Sequence, residues 1–141
     1  MTARRVVIVG GGGAGDAAAF ALRKNGFDGE VVILSADRDR PYDRPYLSKE
    51  FMRGEVELQK VFLHDEAEYS KQKIEIRLQQ TVVAGSLRDR RLSMQSGSEV
   101  DFDALLVATG GTPRRLPDAP DAPAAQDERP LSDPRLRRRI A

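Results

Sequence analysis

Along the first third of the chain, apolar residues come in short unbroken runs separated by glycines and polar turns. Val6-Val7-Ile8-Val9 is β-branched throughout and ends in glycine. That pattern predicts a strand buried on both faces of a parallel sheet. Beyond the glycines, Ala14, Ala17, Ala18, Ala21 and Leu22 recur at the spacing of one helical face, which predicts a helix over 14–24 with that face inward. Asn25-Gly26 follows, and glycine accepts the left-handed conformation that ends helices. Val31-Val32-Ile33-Leu34 is a second apolar run. Strand, helix and strand in about 30 residues form a βαβ unit.

The middle of the chain is less regular. Residues 37–49, rich in Asp, Arg, Pro and Tyr, read as an ordered loop, followed by a short helix over 48–54. A helix is expected over 65–73 and a strand over the alternating segment 74–78. Residues 82–100 suit a meander of two or three short strands, and Leu105-Leu106-Val107-Ala108 reads as another buried strand. From Pro117 onward the periodicity is lost. Residues 117–141 hold five of the eight prolines, so a disordered Pro/Ala/Arg-rich tail is expected there. The reading is therefore an α/β, Rossmann-like domain over 1–116 with a small β-meander, an incomplete sheet, and a tail over 117–141.

Composition narrows the chemistry. There is no cysteine and a single histidine, His64, which excludes disulfides, thiolate metal sites and a histidine-rich metal centre within this sequence. A net charge of +1 gives no electrostatic case for nucleic acid or membrane as partner. The arginines at 135 and 137–139 read as a solvated tail, and His64 as a surface residue with polar surroundings and no visible partner triad. No apolar run approaches the roughly 20 residues of a membrane-spanning helix, and the apolar stretch after the N-terminus is too short for a signal peptide. The expected location is cytoplasmic.

The chemistry lies in Gly10-Gly11-Gly12-Gly13-Ala14-Gly15, which fits G-x-G-x-x-G. Alone the pattern is weak, but here a β-branched strand precedes it, a small-residue helix follows, and an acid stands beyond the next strand. Gly10 would make the tight turn, Gly12 would admit a pyrophosphate to the backbone, and Gly15 would let the helix approach the strands. Helix N–H groups near Ala14 and Gly15 favour an anion. Asp37 can accept hydrogen bonds from both ribose hydroxyls and would repel a 2′-phosphate, so the expected nucleotide is FAD or NAD rather than NADP.

Further segments carry a family resemblance. The glycine turn, Arg40-Pro41-Tyr42-Asp43-Arg44-Pro45-Tyr46-Leu47-Ser48-Lys49, and Leu105 through Thr109-Gly110-Gly111-Thr112-Pro113-Arg114 together resemble the FAD-dependent pyridine nucleotide-disulfide oxidoreductases. The resemblance covers about residues 4–117 and is strongest to the ferredoxin, rubredoxin and putidaredoxin reductase and apoptosis-inducing-factor-like branch. It implies FAD as cofactor, NAD(P)H as co-substrate and a small iron–sulfur protein as electron acceptor. By position, Gly10, Gly12, Ala14 and Gly15 match the phosphate turn, and Asp37 the ribose-binding acid. Arg44 and Lys49 match basic FAD contacts, on the adenosine side and near the flavin respectively. Val82 matches a residue whose backbone meets adenine. Ala108, Thr109 and Gly110 match a turn passing FAD, and Arg114 the arginine after it. Tyr42 and Tyr46 read as loop packing. No residue here is expected to be a catalytic acid or base.

The sequence departs from the family pattern in having no second glycine motif for NAD(P)H and no later G-D segment. The expectation is a truncated or frameshifted reductase unable to turn over by itself. A non-enzymatic ADP-binding module and an inactive remnant are the alternatives.

Overall fold

The structure is a computed structural model that describes residues 4–51 and 53–111. The first β-branched run forms β1 (Arg5–Val9), and the second forms β2 (Glu30–Leu34). They pair in parallel, Val7 opposite Val32 and Ile8 opposite Ile33, through α1 (Gly13–Lys24). β3 (Ile74–Arg77) adds in parallel outside β2, and β7 (Ala104–Val107) outside β1. The four-stranded order is β3-β2-β1-β7, so β1 is interior and the carboxyl ends of all four strands point the same way. The predicted meander forms as three antiparallel strands: β4 (Val82–Ser86), β5 (Arg91–Met94) and β6 (Glu99–Asp101).

Alternation along β1 and β2 assigns each face of the sheet to a separate core. Val6, Ile8, Val31, Ile33 and Ile74 face α1 and meet Ala19 and Tyr69. Val7, Val32 and Leu34 face the meander and meet Leu92, Met94, Val100 and Phe102. Strands buried on both faces need apolar residues at every position, which is why these runs do not alternate with polar residues.

Four expectations need correction. The helical segment after the Asp/Arg/Pro loop begins earlier than 48: α2 (Arg44–Tyr46) runs into a π-helical turn over Leu47–Phe51. Pro45 lies in its first turn, where a missing N–H costs nothing, and so fixes the start. α3 spans Glu66–Lys71, shorter than 65–73. Asp65 and Glu68 close it in a reciprocal capping box, and Lys73 adopts a positive φ of 52°. Ala18 and Leu22 of the predicted face of α1 do pack on the core, with Phe20, but its fully buried residues are Gly15, Asp16 and Ala19, while Ala14, Ala17 and Ala21 are exposed. Small size allowed those alanines either environment, and the close seat of Gly15 fixed the rotation instead. Finally, β7 is an edge strand: Leu106 is 39% and Val107 65% exposed. Tyr42, as expected, packs in the loop, against Phe51 and Val61. Arg114 and the segment 117–141 lie outside the described residues.

One charged side chain joins the helical layer to the strand connections. The Arg23 guanidinium donates to the carbonyls of Phe27, Gly29, Gln72 and Lys73, each at 2.7 Å. It thus holds the end of α1, the entry to β2 and the corner between α3 and β3. Hydrogen bonds from a charged donor contribute about 1.5–3 kcal/mol, well above neutral ones. Arg23→Met should therefore lower unfolding free energy in urea by roughly 3 kcal/mol. Arg23→Lys should recover only part of it, because one ammonium cannot span four carbonyls. A loss below about 0.5 kcal/mol in Arg23→Met, the scatter of ordinary surface changes, would contradict this role.

Candidate functional site

The carboxyl ends of β1, β2 and β7 converge on the glycine turn. Gly10 leaves β1 with φ +122°, a conformation that side chains rarely adopt, and donates its N–H to the Leu34 carbonyl of β2 at 2.9 Å. A Cβ on Gly10 would overlap the Ala108 carbonyl, one on Gly11 the Ser35 hydroxyl, and one on Gly15 the Gly10 carbonyl. Gly12 differs: a Cβ there would meet nothing within 4 Å. Three of these glycines are thus required by protein atoms, whereas Gly12 faces open space. Gly12 is the N-cap of α1, and the first helical bond runs from Asp16 N–H to its carbonyl at 3.0 Å. The N–H groups of Gly13, Ala14 and Gly15 precede that bond and have no earlier helical turn to donate to.

β2 carries the chain on to Ser35 and Asp37. Ser35 is buried, and its hydroxyl accepts the Asp37 N–H at 3.2 Å. The exposed Asp37 carboxylate accepts the N–H groups of Arg38 at 2.7 Å and Asp39 at 3.3 Å, and the Tyr42 hydroxyl at 3.3 Å. Burial of Tyr42 and the neighbouring Asp37 charge push its phenol above the usual range, while Arg44 pulls it back. Tyr42 therefore stays a hydrogen-bond donor to Asp37. The segment leading to β4 lies alongside: Gln80 N–H bonds the Ser35 carbonyl at 2.8 Å, and Gln79 N–H the Asp37 carbonyl at 2.9 Å. Val82, half-buried at the start of β4, is thereby brought to the Asp37 side. On the other flank Ala108 donates to the Val9 carbonyl at 2.8 Å and leads into exposed Thr109 and Gly110, the latter at φ +74°.

The structure therefore gathers Gly10, Gly12, Ala14, Gly15, Asp37, Val82, Ala108, Thr109 and Gly110 around one end of the sheet. Arg44 and Lys49 are exposed on the helical segment that follows Tyr42. Arg44 is tied to the group only through its charge on Tyr42.

Sequence reasoning missed a polar cluster beside this turn. Asp16, one helical turn into α1, is 3% exposed. It accepts a hydrogen bond from the buried Tyr69 hydroxyl and lies 3.4 Å from His64 Nε2. His64 is stacked on Phe20 with ring centroids 3.8 Å apart, and its Nδ1 lies 3.2 Å from the Glu68 carboxylate. His64, read from the sequence as a surface residue, is therefore only partly exposed and lies between two carboxylates. Burial drives the Asp16 carboxyl above the usual range, while Tyr69 and His64 draw it back; burial and Asp16 together drive the Tyr69 phenol upward. An aspartate within an otherwise apolar helical stretch was the one available signal of this cluster. Among the described residues no group of His, Asp and Glu is arranged to hold a metal ion, and no helix is long and apolar enough to cross a membrane.

Comparison with known proteins places this geometry. The family model for pyridine nucleotide-disulphide oxidoreductase matches residues 4–136. The ferredoxin–NAD(+) reductase component of a p-cumate 2,3-dioxygenase system from Pseudomonas putida is 39% identical, over 82% of this chain and 28% of the relative. Terpredoxin reductase from a Pseudomonas species is 41% identical, over 77% of this chain and 26% of the relative. Among solved structures, that of a covalent putidaredoxin reductase–putidaredoxin complex superposes with a TM-score of 0.78 at 33% identity, covering 81% of this chain and 27% of that one. The chain thus spans under a third of the length of the relatives it matches.

The two kinds of glycine separate in a stability measurement. Gly15→Ala should lose about 2 kcal/mol or more, because a backbone carbonyl must move. Gly12→Ala, at φ −86°, should stay within about 1 kcal/mol of the parent, the scale of an N-cap change. Equal losses in urea melts would refute the distinction.

Proposed function

The chain belongs to the pyridine nucleotide-disulphide oxidoreductase family, and from that premise we propose that it provides the ADP-gripping part of an FAD-dependent NAD(P)H:acceptor reductase. The observation that carries the reading is the open space over Gly12 and Gly13, at the start of a helix and within a turn whose Gly10, Gly11 and Gly15 have their own Cβ positions filled. An unobstructed backbone with free N–H groups suits a pyrophosphate, which needs close donors and a favourable helix dipole.

In this reading Gly12, Ala14 and Gly15 hold the diphosphate, and Gly10 sets the turn. Asp37 takes the ribose hydroxyls. Its carboxylate is oriented by Arg38, Asp39 and Tyr42, yet remains exposed enough to accept further donors. Val82 lines the adenine side, with Arg44 supplying positive charge there. Ala108, Thr109 and Gly110 pass the cofactor on the β7 flank, Lys49 serves the flavin side, and Arg114 follows from the family pattern. When bound, FAD supplies hydride acceptance and one-electron release, and the protein supplies position and field. A nicotinamide nucleotide as hydride donor and a small iron–sulfur protein as acceptor complete the proposal, supported by relatives named as ferredoxin–NAD(+) and rubredoxin–NAD(+) reductases.

Titration of the purified chain with FAD, followed by flavin fluorescence or calorimetry, tests this. FAD should bind, and both Gly12→Ala and Asp37→Ala should weaken it tenfold or more, equivalent to about 1.4 kcal/mol. NADP should bind less well than NAD, since Asp37 repels a 2′-phosphate. Failure to bind FAD, or an unchanged affinity in Gly12→Ala, rejects the reading. ADP binding as tight as FAD binding would replace a flavoprotein with an adenine-nucleotide module.

A further inference from the structure

His64 lies between two carboxylates, with Nε2 3.4 Å from Asp16 and Nδ1 3.2 Å from Glu68. A neutral imidazole has one N–H and one lone pair. Whichever tautomer it takes, one of its nitrogens then presents a lone pair to a carboxylate. Only the doubly protonated ring can donate to both. The two acids differ in consequence. Glu68 is solvent-accessible and also accepts the Asp65 N–H at 3.3 Å within its capping box. The Asp16 carboxylate is 5% exposed, so water screens its charge little, and it sits in the first turn of the helix whose N-terminus would receive the anion.

An internal carboxylate there competes with a bound pyrophosphate for the same dipole and repels it directly. Tyr69 offsets the charge with a hydrogen bond but carries no charge of its own. Arg40 is a further cation near the cluster, acting on Tyr69. It donates to the His64 carbonyl at 3.1 Å, covers the Phe62 ring, and is shared with Glu66 at 3.5 Å and Gln59 at 3.3 Å. Its charge is permanent, so it does not switch. Of the side chains described as facing Asp16 from α1, α3 and the segment between them, His64 is the one of a type that can exchange a proton under physiological conditions.

We propose that His64 is a proton-dependent counter-charge for Asp16, so that the glycine turn binds a dinucleotide pyrophosphate more tightly when His64 is protonated. The inference rests on the dinucleotide reading above. Coupling is reciprocal, so the bound anion must in turn favour the protonated ring.

FAD is the suitable probe, because its pyrophosphate lacks a terminal phosphate that would itself titrate near pH 6. In the full chain, FAD affinity should be roughly threefold to tenfold higher at pH 6 than at pH 8, the range expected of a partly buried charge near a helix end. Asp16→Asn keeps the shape and the Tyr69 bond. It should bind at pH 8 at least as tightly as the parent does at pH 6, and depend less on pH than the parent. His64→Gln should bind weakly at both pH values, and it remains informative if Asp16→Asn fails to fold. Because the chain has one histidine, its imidazole NMR signals are unambiguous, and FAD should move their titration to higher pH. The same pH profile in the parent and in His64→Gln overturns the proposal, as does weaker binding by a folded Asp16→Asn. Absence of FAD binding in every variant at every pH instead overturns the dinucleotide reading, and this inference with it.

Discussion

The governing constraint in the fold is the contact between the first turn of α1 and the end of β1, where Gly15 lies so near the Gly10 carbonyl that no side chain fits between them. Ile8 lies under the same contact. A helix held this near its strand cannot rotate freely, so the contact decides which residues of α1 face the core. It also fixes where the helix begins, and therefore where its unpaired N–H groups point. Core packing and the anion-receptive end of the helix thus have one cause. Packing alone would tolerate other small residues along α1, but it would not tolerate a Cβ at position 15.

That constraint explains which parts of the fold were legible in the sequence. β1 and β2 were readable because a strand buried on both faces requires an unbroken apolar run, and Val6–Val9 and Val31–Leu34 supply it. The glycine turn was readable because Gly10 and Gly15 answer separate steric demands at fixed spacing while Gly12 leaves the backbone open. The inward face of α1 was not, because alanine is nearly indifferent to burial and the pattern at 14, 17 and 21 carried no weight against the seat of Gly15. β7 was misread for another reason. Its run resembles those of β1 and β2, but position in the sheet, not composition, sets exposure. Leu106 points to the α1 side and Val107 to the meander side, beyond the reach of either layer.

The candidate site was legible to the extent that its contacts are local. The motif spacing gave the turn and Asp37, and a family pattern gave Val82 and the segment at 108–110. The structure adds the supports, which depend on long-range approach. Ser35 fills the space that Gly11 leaves and also steadies Asp37, while Gln79 and Gln80 bring the start of β4 to the same place. None of these has a sequence signature, since a serine after a strand and two glutamines before one are common.

Asp16 and Asp37 show how one side-chain type acquires opposite consequences. Asp16 directly follows the glycine turn and Asp37 lies beyond the carboxyl end of β2, and both accept a hydrogen bond from a tyrosine. Asp37 is exposed, and its remaining acceptor capacity faces solvent and any ligand there. Asp16 is enclosed by Tyr69, Phe20 and His64, so its charge has little water to screen it and must be balanced from within. In a low-dielectric setting an unbalanced carboxylate is costly to folding and projects further than an exposed one. Replacing it by an alanine would remove both effects, and the apolar pattern of the helix would accept one. A partnered carboxylate there gives the helix end an opposing charge balanced by Tyr69 and His64, which an apolar side chain at that position could not provide.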